Sequence, residues 1–88
     1  MQATPQHFSH FNPDWHVANL NSREIHKLDC HWASLMHNHN KLYCKDLSEV
    51  AKLIRESGYN GCHYCLPRYD TDTRSLAKVL KNLEEDLD

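Results

Sequence analysis

Two short pairs of metal-capable side chains, His26-x3-Cys30 and Cys62-x2-Cys65, limit the folds open to this chain more than any other feature. Zinc takes thiolate sulfur and imidazole nitrogen, and a closed structural site holds four such ligands, commonly as two local pairs that the fold brings together. The CxxC half is the more specific, because two intervening residues let one tight turn aim both sulfurs at a single ion. The spacing therefore predicts one tetrahedral Zn2+ held by His26, Cys30, Cys62 and Cys65. A CxxC redox pair and a core of buried thiols are the competing readings. Thioredoxin-like chemistry needs its CxxC at the start of a helix after a strand. Here Pro67 and Arg68-Tyr69-Asp70 follow instead. Cysteine is often buried for packing alone, but that does not produce ligand spacing in two places.

A chain of 88 residues is expected to be one domain that buries about 60 to 65% of its unfolded surface, a size often helped by a metal, a disulfide or a partner. Nothing approaches the run of about 18 apolar residues that a membrane span needs, and the polar, histidine-bearing N-terminus lacks the segments of a secretory leader. A cytoplasmic location without membrane contact is the expectation. In that reducing compartment cysteines are more often metal-bound or free than paired. The formal charge is −2, with Glu84, Glu85, Asp86 and Asp88 crowded at the C-terminus. Nucleic-acid modules usually present a basic face with a pI above roughly 9. Nucleic acid is thus an open but disfavoured partner, and a protein partner stands open beside it.

Residues 1–13 carry Pro5, Pro13 and two phenylalanines among histidines without a clean period, and a flexible arm is expected there, followed by a single zinc-binding domain over 14–88. Trp15, Val17 and Leu20 suit one strand, Asn19 to Ser22 a turn, and Ile25 and Leu28 a second extended segment, so that a hairpin delivers His26 and Cys30. Residues 31–41 read as an irregular loop or short helical turn, and Leu42-Tyr43-Cys44 as a third strand. Asp46 as N-cap with Glu49, the face Leu47, Val50, Ala51, Ile54 and the stop at Gly58 predict a helix over 47–57. Tyr59 to Cys65 must then form a compact turn. From Asp72 or Thr73 onward, Leu76, Val79, Leu80, Leu83 and Leu87 repeat at helical spacing, a stripe expected to be core before interface.

Other metal-capable residues rank lower. His31 and His63 adjoin ligands and either could substitute for His26, although a neighbour of a ligand usually points away from the ion, and Cys44 lies in an apolar run as a buried small side chain. His37-x-His39 and His7-x2-His10 form at most a weak second transition-metal site. Asp29 is placed to accept a hydrogen bond from His26 behind the metal. A hydrolytic zinc site keeps one position open for water, and a set of four ligands does not.

The stretch Glu24-Ile25-His26-Lys27-Leu28-Asp29-Cys30, then Leu42-Tyr43, then Gly58-Tyr59-Asn60-Gly61-Cys62-His63-Tyr64-Cys65-Leu66-Pro67 resembles the small metal-binding domain of Ada-type DNA-repair methyl-transfer regulators. It also resembles related short bacterial zinc-binding proteins that share an HxxxC…GYxxCxxC signature. In the Ada-type domain four thiolates hold zinc and the first accepts a methyl group from a DNA phosphotriester. The matching ligand positions here are His26, Cys30, Cys62 and Cys65, with an imidazole at the acceptor position.

These readings converge on a small zinc-stabilised α+β domain with a short antiparallel sheet and two helices. Its expected role is a non-enzymatic binding or adaptor module with one structural site made of one histidine and three cysteines. The alternatives are a nucleic-acid-binding module related to the Ada metal-binding domain, with Lys41, Lys45, Lys52, Arg55 and Arg68 on phosphates, and a thiol-based enzyme acting as methyl acceptor or redox centre.

Overall fold

The computed structural model describes residues 14–87; the arm expected over 1–13, with His7 and His10, lies outside them. Strands β1 (His16–Asn19) and β2 (Glu24–Lys27) form the expected hairpin. Asn19 makes the turn. Its side-chain oxygen accepts from the amides of Asn21 at 2.8 Å and Ser22 at 3.2 Å, and its carbonyl accepts from Arg23 at 2.7 Å. Arg23 closes the turn in the left-handed region at φ 62°, a conformation that costs a non-glycine residue on the order of 1 kcal/mol. Leu20 sits in this turn, exposed, rather than on the strand.

Strand β3 (Lys41–Cys44) pairs antiparallel with the other side of β1, so that Val17 lies opposite both His26 and Tyr43. A fourth strand, β4 (Asn60–Gly61), pairs parallel with β2, giving the order β3-β1-β2-β4. The sheet is therefore mixed rather than purely antiparallel. A strand of two residues has no alternation to announce it. Gly61 is required there: a Cβ at this position would lie 2.7 Å from Tyr69 Cβ and 2.8 Å from the Tyr69 carbonyl oxygen.

Among the described residues three α-helices accompany the sheet, one more than expected. The extra one is α1 (His31–Ser34), a single turn directly after Cys30. Helix α2 (Leu47–Ser57) runs over the predicted residues. Asp46 Oδ1 accepts from the Glu49 amide at 3.0 Å, while the Glu49 carboxylate reaches back to the Lys45 amide at 2.6 Å, one residue beyond the usual capping box. Gly58 ends the helix at φ 70°. Helix α3 (Leu76–Leu87) begins later than Asp72 or Thr73. The buried Asp70 carboxylate holds that stretch as a turn, accepting from the Asp72 amide at 2.9 Å and the Thr73 hydroxyl at 3.1 Å. Ser75 then caps the helix through the Lys78 amide.

Strand alternation gives the sheet two unequal faces. Ala18, Ile25 and Cys44 join Val50, Ala51, Ile54, Leu66, Tyr69, Val79 and Leu83 in the main core beneath α2 and α3. Leu76 and Leu87 at the ends of the leucine stripe stay about half exposed, at 47% and 48%, so the stripe is core only over its middle turns. The opposite face carries a second cluster whose buried members are only Val17, Cys30, Ala33 and Cys62. Burial of an aliphatic side chain contributes about 1.5–3 kcal/mol, and this group, half of it cysteine and flanked by partly buried Leu28, Met36 and Tyr43, contributes less by packing than the main core.

Candidate metal centre

The sparse face of the sheet is where the two ligand pairs meet. His26 projects from β2 onto that face beside Val17, and Cys30 follows after a turn closed by its own amide on the Lys27 carbonyl at 3.1 Å. The parallel pairing of β4 brings the second pair alongside: the Cys62 amide donates to the Ile25 carbonyl at 2.8 Å, one residue before His26. Cys65 returns on a tight turn in which the Leu66 amide donates to the Cys62 carbonyl at 2.8 Å. Two sulfurs accept backbone amides, Cys65 Sγ from Lys27 at 3.3 Å and Cys62 Sγ from Tyr64 at 3.4 Å.

The four ligand atoms of His26, Cys30, Cys62 and Cys65 all lie within 4.8 Å of one another, and the group can hold one metal ion. His26 Nδ1 lies 3.6 Å from Cys30 Sγ. Bond lengths of about 2.05 Å to nitrogen and 2.3 Å to sulfur at a tetrahedral angle place such a pair about 3.6 Å apart. None of the four cysteines is in a disulfide. His26, Cys30 and Cys62 are buried and Cys65 is partly accessible. One imidazole and three thiols, pre-gathered and shielded, suit a soft-tolerant tetrahedral cation better than an oxygen-seeking one.

Electrostatics agree with a ligand role. Burial, only partly opposed by Glu24, lowers the His26 pKa and favours the neutral ring that coordinates metals. Burial pushes the Cys65 thiol up to about 12 against the pull of the Lys27 amide. At Cys30 burial also works upward, but the neighbouring Cys65 thiol and the approaching amides of Trp32 and Ala33 outweigh it and leave a net lowering. Cation binding must therefore displace protons from this set. The carboxylate beside the imidazole is Glu24, with Oε1 3.8 Å from Nε2, rather than the expected Asp29. Glu24 lies two residues before His26 on the same strand and so on the same face; Asp29 lies beyond the strand end.

The remaining candidates fall elsewhere. Cys44 is in the main core, its thiol raised to about 11 by burial and then by Glu49 and Asp46. The exposed His63 ring turns to Asp70, Nδ1 to Oδ2 at 2.9 Å, and His31 packs edge-on against Trp32. His37 and His39 stack with ring centroids 5.6 Å apart, without a third metal-capable partner among the described residues. Of the five basic residues considered for phosphate, Arg68 forks onto Asp86 with two contacts at 3.1 Å, and Arg55 pairs with Glu56 at 3.6 Å. Lys45 Nζ lies over the Trp15 ring. One surface feature went unanticipated: Trp32 and Tyr64, 46% and 73% exposed, face each other with ring centroids 6.0 Å apart. Their signal in the sequence was proximity, since Trp32 follows Cys30 by two and Tyr64 lies inside the CxxC. Comparison of the chain with protein-family models, curated proteins and solved structures found no match.

Proposed function

We propose that this protein is a small, non-enzymatic binding module of the cytoplasm whose shape depends on one structural zinc held by His26, Cys30, Cys62 and Cys65. The observation that carries this reading is that the ligand atoms of those four side chains lie within 4.8 Å of one another, on the face of the sheet with the smaller of the two buried clusters among the described residues. Bound zinc supplies on the order of 10 kcal/mol of folding free energy in small domains of this kind. The chain's own residues do the rest: β2 and β4 bring the pairs into register, the Lys27 and Tyr64 amides orient two sulfurs, and burial keeps His26 neutral. An imidazole at the position that matches the Ada-type methyl acceptor supports a strut over a transfer reaction, and four ligands leave no position for an activated water. The test is metal analysis with near-ultraviolet circular dichroism before and after chelation. One zinc per chain, with tertiary signal lost on stripping and restored by zinc, is expected. A metal-free chain that stays folded with a Cys62–Cys65 disulfide would refute it.

Nucleic-acid binding is a second reading, favoured by the exposed Trp32–Tyr64 pair, since unpaired bases stack on such rings. Against it stand the acidic balance and the carboxylates already on Arg55 and Arg68. Tryptophan fluorescence titrated with single-stranded oligonucleotides separates the two; the adaptor reading expects no quenching at physiological salt.

A further inference from the structure

Beside the metal centre an open groove of about 760 Å³ lies between the ends of β1 and β2, the start of α2 and the segment that follows Cys65. Small-molecule sites occupy about 300–1,000 Å³, so the space suits a compact ligand. Its charge is what asks for an explanation. Lys27, Lys45 and Arg68 all border it. Arg68 is engaged by Asp86 and Glu85, but the ammonium groups of Lys27 and Lys45 form no ion pair among the described residues. Lys45 rests over the Trp15 ring at 5.5 Å, which holds its position without neutralising it.

The imidazole of His16 also borders the groove. It is held below its ordinary pKa, first by burial and then by Lys27, against Asp14. Its Nδ1 is buried without a hydrogen-bond partner among the described residues. The rest of the wall is largely apolar, formed by Leu47, Leu66 and Tyr69. Asp14 and Asp46 border the groove too, and both would repel a dianion such as phosphate more than a single negative charge.

We infer that this groove binds a small organic monocarboxylate with an apolar body, its carboxylate on Lys27 and Lys45 and its body against Leu47, Leu66 and Tyr69. The inference goes beyond the zinc strut and leans on it only because Cys65 forms part of one wall. Titration of the zinc-loaded full chain with 3-phenylpropionate, followed by amide and histidine-ring NMR, tests it. Saturable shifts at Lys27, Lys45, Leu66 and Tyr69 are expected, with the His16 pKa moving upward as an anion joins it. The variants Lys27→Met and Lys45→Met should each weaken binding roughly five- to tenfold, the scale of one charge contact at a partly exposed site. Acetate, which lacks the body, and 3-phenylpropanol, which lacks the charge, should both bind more weakly. Absence of saturation overturns the inference, as do equal binding of the alcohol or of inorganic phosphate, or unchanged affinity in both variants. Should Lys27→Met disturb the adjacent His26 and lose zinc, Lys45→Met decides. A zinc-loaded chain that ignores the carboxylate leaves the strut standing, whereas a chain that folds without zinc fails the strut and still submits to the same titration.

Discussion

The four cysteines divide by environment, and substitution should expose the division. Cys62 lies in the small cluster with its sulfur on the Tyr64 amide, while Cys44 lies across the sheet in the main core. Cys62→Ser should abolish stoichiometric zinc, whereas Cys44→Ala should keep one zinc per chain and cost about 1 kcal/mol of stability from the small cavity; metal analysis and urea unfolding of both variants check this. Asp70 gives a pH test. Burial works to raise its carboxyl, but His63, the Asp72 amide and the Thr73 hydroxyl outweigh it and hold it below the usual carboxylate value. A depressed folded pKa means stabilisation that is complete above the unfolded value of about 3.9 and is lost as pH falls through the folded one. Asp70→Asn should therefore cost about 1–3 kcal/mol at neutral pH, with the gap from wild type beginning to narrow as pH falls below about 5, read from urea midpoints at matched metal occupancy. All four candidate ligands were legible because ligand spacing is local chemistry. Glu24 is legible too, because strand alternation puts it on the face of His26, whereas Asp29 lies past the end of β2.

At the level of elements, legibility followed length. Helix α2 could be placed because a cap, an apolar face and a terminal glycine agree over Leu47–Ser57. The start of α3 could not, because the bonds of Asp70 that hold the preceding turn depend on where the chain has already folded. Strand β4 was invisible in the sequence, yet it sets the register that brings Cys62 to β2. Its Gly61 carries a direct prediction. A methyl group there would meet the Tyr69 carbonyl at 2.8 Å and the Leu66 carbonyl at 2.9 Å, both backbone atoms with little room to yield. Gly61→Ala should cost about 3 kcal/mol, at the upper end for overpacking, and should weaken zinc retention against a competing chelator. Unchanged retention in Gly61→Ala would mean that β4 does not hold the site together.

Across the whole molecule the sheet separates two kinds of cohesion. One face is held by apolar burial beneath two amphipathic helices; the other gathers one imidazole and three sulfurs beside a smaller buried cluster. The sequence pattern foretold both, since the helical stripes and the ligand pairs never share residues, but not that they lie on opposite sides of one mixed sheet. That arrangement depends on a parallel crossover which no periodicity marks. An ion held by the four candidate ligands would tie together the end of β2, the turn of α1 and the CxxC loop. Zinc K-edge X-ray absorption on the purified protein tests this most directly. The expected result is one zinc per chain in a shell of three sulfurs at about 2.3 Å and one nitrogen at about 2.0–2.1 Å. A shell of light atoms, a shell with only two sulfurs, or folded protein free of zinc would contradict it.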